Sequence, residues 1–271
     1  MKSHPLISII TVCYNAGPIL SETLQSATEQ TFTDFELVII DGKSVDNTIE
    51  VAKRFDKFTG TLLSEPDKGI YDAMNKGIKA AKGEWLYFLN AGDAFYNKEV
   101  LSSVFLNQKI EAIDFIYAKV QTKNEPTGID YLNGKEISYN DFFSHYPICH
   151  QATFARKSLF DKLGYFNLDY PLVADSEWFI RIFKDKSIKK LFLDAIIAFY
   201  DIQGATYQKR MQGYREYIQV GFKQFPFTIA VKNMLMHPLI WLKVKIIRTF
   251  QNRSWFKKYR TIKFKNKLAQ P

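Results

Sequence analysis

The sequence is poor in cysteine and histidine. Its 271 residues hold two cysteines, Cys13 and Cys149, both in apolar strand-like surroundings and neither in a CxxC pair. That argues against a disulfide framework or a thiolate zinc site and fits a reducing, cytosolic setting. The four histidines include no HxxxH or HxH spacing, which argues against a histidine-based metal centre. No apolar run follows a basic N-terminus, because Pro5-Leu6-Ile7-Ser8 already opens a strand, so a signal peptide is not expected. Glycine-rich phosphate loops are missing too. The first strand runs into Cys13-Tyr14-Asn15-Ala16-Gly17-Pro18, which matches neither the dinucleotide GxGxxG turn nor a Walker P-loop.

Negative charge is absent from the C-terminal segment. Between Pro226 and Pro271 there are eleven Lys or Arg and no Asp or Glu, so the net charge of +9 arises there. The same segment reads "MLMHPLIWLKVKIIRTF" and "RSWFKKYRTIKFKNK", with aliphatic and aromatic residues between the basic ones. Lys243, Lys245 and Arg248 interrupt it too early for an ~18-residue spanning helix. Two readings stand: an interfacial amphipathic helix on anionic lipid, and a helix packed on the main domain with a solvated basic face. No nucleic-acid-binding module accompanies the charge, so nucleic acid is not an expected partner.

What is present is an ordinary globular composition, 46% hydrophobic and 24% charged, which excludes a disordered or fibrous chain. The first 110 residues alternate strand and helix. "LISIITVC" and "FELVIID" are apolar β-branched runs, "TLLS" is a short strand and "WLYFL" a fourth. Pro18 opens a helix over "ILSETLQSATEQ", as proline is tolerated in a first turn. "SVDNTIEVAKRF" is a second helix, with Asp46 or Asn47 as N-cap and Glu50 placed to close a capping box from Asn47. "GIYDAMNKGIKAAKG" is a third, ended by Gly83. Strands separated by helices imply a parallel sheet covered on both faces, with ligands at the carboxyl ends of the strands.

Those ends are polar. Strand one finishes at Cys13-Tyr14-Asn15, strand two at Asp41-Gly42, strand three at Glu65-Pro66-Asp67-Lys68-Gly69 and strand four at Asn90-Ala91-Gly92-Asp93. A carboxylate at the second strand end can accept from a base or ribose, and a tyrosine at the first can lie against a ring. Any one of these residues is explained by a turn or a cap; four rims together point to a binding site.

The segments "ISIITVCYNAGPILSETLQSATEQTFTDFELVIIDGKSVDNT", "SEPDKGIYDAMNKGIKAAKGEWLYFLNAGD" and "ICHQATFARKSLFDKLGYFN" resemble the family 2 glycosyltransferases of bacterial surface polysaccharide assembly over roughly residues 5 to 210. The resemblance implies an α/β GT-A nucleotide-diphospho-sugar transferase fold, with a mainly parallel central sheet flanked by helices. The expected organisation is a catalytic domain over 1–225, with a donor half (1–110) and an acceptor half (111–225), and a basic, helical, amphipathic extension over 226–271. The resemblance implies a nucleotide-sugar donor, most simply a uridine diphosphate sugar, a saccharide or lipid-linked acceptor, a divalent metal (Mn²⁺ or Mg²⁺) and inversion at the anomeric carbon. With the basic tail, this places the protein in the cytoplasm, peripheral on the inner face of the membrane.

Carried over position by position, Val12, Tyr14 and Asp41 would hold the base and ribose, with Asn15 beside them. Asp67, Lys68, Asp72 and Lys76 would line the donor site, and Asn90, Ala91, Gly92 and Asp93 would occupy the place of the DxD motif, with Asp93 as metal ligand. Asn90 stands where relatives usually carry the first acid of that motif. Since Mg²⁺ binds proteins through one or two carboxylates plus substrate phosphates and water, one acid can suffice.

Inversion needs a base for the acceptor hydroxyl. "PLVADSEWFIRIFKD" puts Asp175 at the mouth of a helix whose Trp178, Phe179, Ile182 and Phe183 are spaced for burial. The segment resembles the one in which a family acid acts as base, with Ala174 where many relatives have glutamate. Asp175 is the expected base; a plain N-cap role for it, and Glu177 as base, are the alternatives. His150, Gln151 and Glu177 are expected on the acceptor side. A sugar-nucleotide pyrophosphorylase would need a GxGxRL turn that "CYNAGPI" lacks. A non-catalytic nucleotide-sugar-binding homologue in an assembly complex remains the alternative, motivated by Asn90 and Ala174.

Overall fold

Strand β1 (Ile7–Cys13) is buried along its whole length and pairs in parallel with β2 (Phe35–Asp41) on one side and β4 (Trp85–Phe88) on the other. Side chains alternate across a strand, so the β-branched run divides between two cores. Ile10 and Val12 enter one hydrophobic cluster and Ile7 and Ile9 the other. The computed structural model describes residues 4–106, 110–123, 132–145, 147–201, 209–250, 253–256 and 258–259.

Among these, nine strands form one sheet in the order β3-β2-β1-β4-β8-β6-β9-β5, with β7 on β6. Here β3 is Thr59–Ser64, β5 Ala94–Phe95, β6 Phe115–Lys123, β7 Leu132–Asn133, β8 Thr153–Arg156 and β9 Lys190–Asp201. From β3 to β4 all strands are parallel. Beyond β4 the sense changes: β8 is antiparallel to both β4 and β6, while β9 runs parallel to β6. One hydrogen-bonded sheet thus carries the strand ends of the first 110 residues and the segment that follows them.

Helices cover both faces. Helix α1 (Gly17–Thr28), with proline in its first turn, and α4 (Val100–Phe105) contribute to the cluster around Ile7 and Ile9. Helix α3 (Ile70–Ala80), α5 (Ser158–Leu163) and α6 (Ala174–Lys184) contribute to the other. Two local expectations are corrected. Helix α2 (Thr48–Lys53) has no capping box from Asn47; instead Asp46 accepts from Thr48 N–H (3.0 Å) and from Gly17 N–H (3.2 Å), tying the second helix to the start of the first. Helix α3 stops at Ala80, before Gly83, whose N–H donates to Ser8 Oγ (2.8 Å). A Cβ at Gly83 would lie 2.5 Å from Ser8 N, so this glycine permits close packing on β1.

The C-terminal segment begins with α7 (Arg210–Gln224) and continues as α8 (Phe227–Phe250), which contains Pro238. Early in α8, Ala230 is buried and Asn233 donates to Phe143 O (3.0 Å), so this end docks on the domain. From Met234 onward the large apolar side chains Leu235, Leu239, Trp241, Leu242 and Ile246 are exposed, beside exposed Lys243 and Lys245. No helix of the described residues is long and apolar enough to cross a membrane. Residues 251–252, 257 and 260–271 of the expected extension lie outside the described residues.

Candidate active site

At the end of β1, Tyr14 is 64% exposed, an aromatic face without cover. Gly42, following β2, separates it from Asp67. A Cβ at Gly42 would lie 2.5 Å from Asp67 Oδ2 and 3.3 Å from the Tyr14 ring. The ring, the glycine and the carboxylate therefore meet at one spot, a geometry suited to a planar base with polar edges. Asn15 adopts a left-handed conformation (φ 47°) that asparagine tolerates. Its N–H donates to Ser44 Oγ (2.7 Å), and its Oδ1 accepts from Val45 N–H (3.0 Å), so Asn15 shapes the loop opposite Tyr14.

Asp41 is fully buried. It accepts from Ser44 N–H (3.0 Å), from Ser64 Oγ (2.5 Å) and from the Ser44 hydroxyl, which ties β2, β3 and the following turn together. Val12 likewise acts through the backbone: its side chain lies in the core, and its carbonyl accepts from Ala91 N–H (3.2 Å). Both thus sit at strand ends that border Tyr14, the carboxylate met by internal donors and the valine packed in the core.

The loop from 65 to 69 is internally braced. Lys76 pairs with Glu65 (2.9 Å), donates to Pro66 O (2.7 Å) and lies 3.8 Å from Asp72, whose Oδ2 accepts from Lys68 N–H (2.9 Å). Asp67 Oδ1 accepts from Gly69 N–H (2.8 Å). Lys76 and Asp72 hold the shape of this loop, which leaves the exposed Lys68 side chain at its tip.

After β4 the chain turns sharply: Asp93 N–H donates to Asn90 O (2.9 Å), and Gly92 takes φ 98°, which glycine adopts without strain. Thr23 of α1 clamps this turn, accepting from Gly92 N–H (2.9 Å) and donating to Asp93 O (2.7 Å). Asp93 is buried, and its Oδ2 accepts from Gln151 Nε2 (3.0 Å). The backbone of Gln151 is fixed in turn by Tyr87 OH, which donates to its carbonyl (2.8 Å). Asn90 is 8% exposed; its Nδ2 meets His150 Nε2 (2.9 Å), while its buried Oδ1 has no hydrogen-bond partner among the described residues.

His150 opens a short 3-10 turn before β8 and links the two halves of the site. Its Nδ1 lies 3.1 Å from Asp175 Oδ2. Asp175, in the first turn of α6, accepts through Oδ1 from Tyr71 OH (2.8 Å) and Ser176 N–H (2.7 Å). Burial pushes its carboxyl up, but His150, Tyr71 and the Ser176 N–H outweigh that and hold it below the usual carboxylate range. Tyr71 is held by its helix: Asn75, one turn on, exchanges hydrogen bonds with the Phe166 backbone (2.9 and 3.1 Å), and the Tyr71 ring rests on Phe166 with centroids 5.5 Å apart.

Glu177 belongs to another group. Its carboxylate pairs with Arg181 (2.8 Å) and accepts from Gln224 (3.2 Å), and Arg181 also donates to the Gly164 and Tyr165 carbonyls. These contacts hold α6 to α7. Sequence reasoning passed over Tyr71, Thr23 and Gln151's link to Asp93. For Tyr71 the available signal was a tyrosine beside Asp72 at the start of a helix that follows a polar strand end.

Among the described residues no group of three His, Cys, Asp or Glu side chains could enclose a metal ion. Asp93 offers a single hard carboxylate on a strand-end turn. Such a donor set fits Mg²⁺ or Mn²⁺ held largely by diphosphate oxygens and water, and does not fit a protein cage.

Parallel strands ending in an open aromatic face, a buried acid on a turn and, beside them, a carboxylate in the first turn of α6 are arranged on a sheet of the GT-A fold class. The chain belongs to glycosyl transferase family 2, whose pattern matches residues 8–192. It is 34% identical over 202 residues to a Mycobacterium bovis PGL/p-HBAD biosynthesis glycosyltransferase, covering 73% of this chain and 77% of that one. An uncharacterized glycosyltransferase of Bacillus subtilis, YwdF, is 26% identical over 204 residues, covering 72% and 75%. In fold it is similar to residues 1–349 of Staphylococcus aureus TarS in complex with UDP-GlcNAc (TM-score 0.65, 20% identity, 79% of this chain and 65% of that one). It spans 39% of a longer TarS structure. It is also similar to the Pyrobaculum calidifontis mannosyltransferase PcManGT in complex with GDP-Man and Mn²⁺ (TM-score 0.61, 15% identity, 96% and 83%).

Proposed function

We propose that this glycosyltransferase moves a sugar, with inversion, from a nucleotide-diphosphate donor, most simply a uridine diphosphate sugar, to a saccharide or lipid-linked acceptor in cell-surface polysaccharide synthesis. The observation that carries the reading is the hydrogen-bonded chain from the donor strand end, Asn90, through His150 to Asp175. It puts an ionised carboxylate next to the floor on which the donor would lie.

In this reading Tyr14 stacks on the base, Asp67 and Lys68 approach the base and phosphates, and the Asn90 turn lies beneath the donor. The acceptor oxygen attacks the anomeric carbon, the bond from that carbon to the diphosphate oxygen breaks, and the hydroxyl proton passes to Asp175. A divalent ion held by Asp93 would neutralise the departing diphosphate. The names of the TarS and PcManGT complexes, with UDP-GlcNAc and with GDP-Man and Mn²⁺, support this assignment of donor and metal. The exposed apolar and basic side of α8 supports a peripheral seat on an anionic inner membrane surface, where a lipid-linked acceptor is within reach.

The test is release of nucleoside diphosphate from a panel of nucleotide sugars with Mn²⁺ or Mg²⁺. Release that disappears in Asp175→Asn supports transfer with Asp175 as base. No release from any sugar, with nucleotide binding unchanged in Asp93→Ala, assigns the chain a binding role in place of catalysis.

A further inference from the structure

We propose that His150 is a positioning residue for the transfer reaction, locked as one tautomer between the Asn90 amide and the Asp175 carboxylate. The inference rests on the reading of Asp175 as base. The Asn90 Nδ2 group can only donate, so His150 Nε2 must accept at 2.9 Å and the ring proton sits on Nδ1. That proton points at Asp175 Oδ2, 3.1 Å away. The other oxygen, Oδ1, already takes Tyr71 OH and Ser176 N–H. The carboxylate is thereby pinned at both oxygens, and the lone pair left on Oδ2 has one direction in which to meet an acceptor hydroxyl.

The same geometry gives a reason for an amide at position 90. A carboxylate there could only accept, so it would call for a proton on Nε2 and compete with the Nδ1–H bond to Asp175. Asn90 and His150 are a matched pair: the amide sets the tautomer, and the tautomer orients the base. A side chain whose Nε2 and Nδ1 are both committed has no atom left for an acceptor sugar, which separates this role from acceptor binding.

Two measurements test the proposal. In the wild-type protein labelled with ¹⁵N-histidine, His150 is expected to be protonated at Nδ1 and unprotonated at Nε2 at neutral pH; a proton on Nε2, alone or with one on Nδ1, overturns the assignment. In nucleotide release, His150→Ala is expected to lower kcat by roughly 10²-fold, the cost of a misplaced reacting group, with donor KM changed by less than ~3-fold. His150→Asn sets an amide donor close to the place of Nδ1 and is expected to recover at least about 10-fold of that loss, whereas His150→Gln is not. Failure of the asparagine to recover activity, or a raised KM at constant kcat in His150→Ala, overturns the proposal. Should Asp175→Asn retain full kcat, the base assignment itself fails, whatever the ¹⁵N spectrum shows.

Discussion

Tyr71 OH donates to Asp175 Oδ1 at 2.8 Å, across 104 residues of sequence. Helix α3 thus supplies a hydrogen bond to the carboxylate read as base. Tyr71→Phe removes one of three donors, and hydrogen bonds to charged groups are worth about 1.5–3 kcal/mol. The Asp175 carboxyl should rise from its depressed value, so the acid limb of the pH–rate profile moves to higher pH and turnover falls roughly 10-fold. The stability linked to this group is full above the usual carboxylate range and fades as pH falls through the folded value; in Tyr71→Phe that fading is smaller and ends at a higher pH. An unmoved acid limb would show that another group governs it.

Asp175→Asn should reduce transfer by about 10²–10⁴-fold, the usual contribution of a general base, while donor affinity stays near wild type. Isothermal titration with the donor beside a turnover assay separates the two. Loss of both together would mark the residue as structural.

Asp93 is the single carboxylate on its turn, so Mn²⁺ alone should bind weakly and roughly 10-fold or more tightly once a nucleotide sugar is present. Chelation should abolish donor-dependent thermal stabilisation, and Asp93→Ala should make it insensitive to the metal. Tight binding of Mn²⁺ to the donor-free protein would contradict a site completed by diphosphate oxygens.

Lys243→Glu with Lys245→Glu should weaken sedimentation of the full chain with anionic vesicles by at least ~10-fold, given about 1 kcal/mol per basic residue near a charged surface. The wild-type interaction should decline with salt. Binding that persists in both variant and high salt would remove the electrostatic part of the membrane reading.

Burial pushes the thiols of Cys13 and Cys149 up, each to about 12. Folded protein at pH 7.5 should therefore resist iodoacetamide, whereas unfolded protein reacts at both cysteines. Because the folded values lie above the ordinary thiol value of 9.0, their contribution to stability is full below about that pH and is lost as pH rises towards 12. Rapid alkylation without unfolding would contradict this burial.

The parallel part of the sheet was legible because β1, β2 and β4 are continuous apolar runs, and strands covered on both faces need such runs. The polar strand ends were legible for the complementary reason: charged and amide groups have no place at the end of a buried strand without partners. Which partner each group takes was not. Asp41, Lys76 and Glu177 pair with Ser44, Glu65 and Arg181 respectively, and spacing cannot reveal such partners. Tyr71 was hidden because an aromatic on the buried side of a helix reads as core until the hydroxyl's neighbour is known. The change of strand sense at β8 was equally hidden, since a four-residue strand carries the same apolar signature in either direction.

The continuous sheet also bears on how the enzyme can move. Strand β4, which delivers Asn90, is hydrogen-bonded to β1 and to β8, the strand that His150 precedes. Among the described residues the sheet is continuous from β1 through β4 to β8, so parting it into two lobes would break the backbone hydrogen bonds of β4. The distance from the Asn90 turn to His150 is therefore set by sheet hydrogen bonds formed when the protein folds.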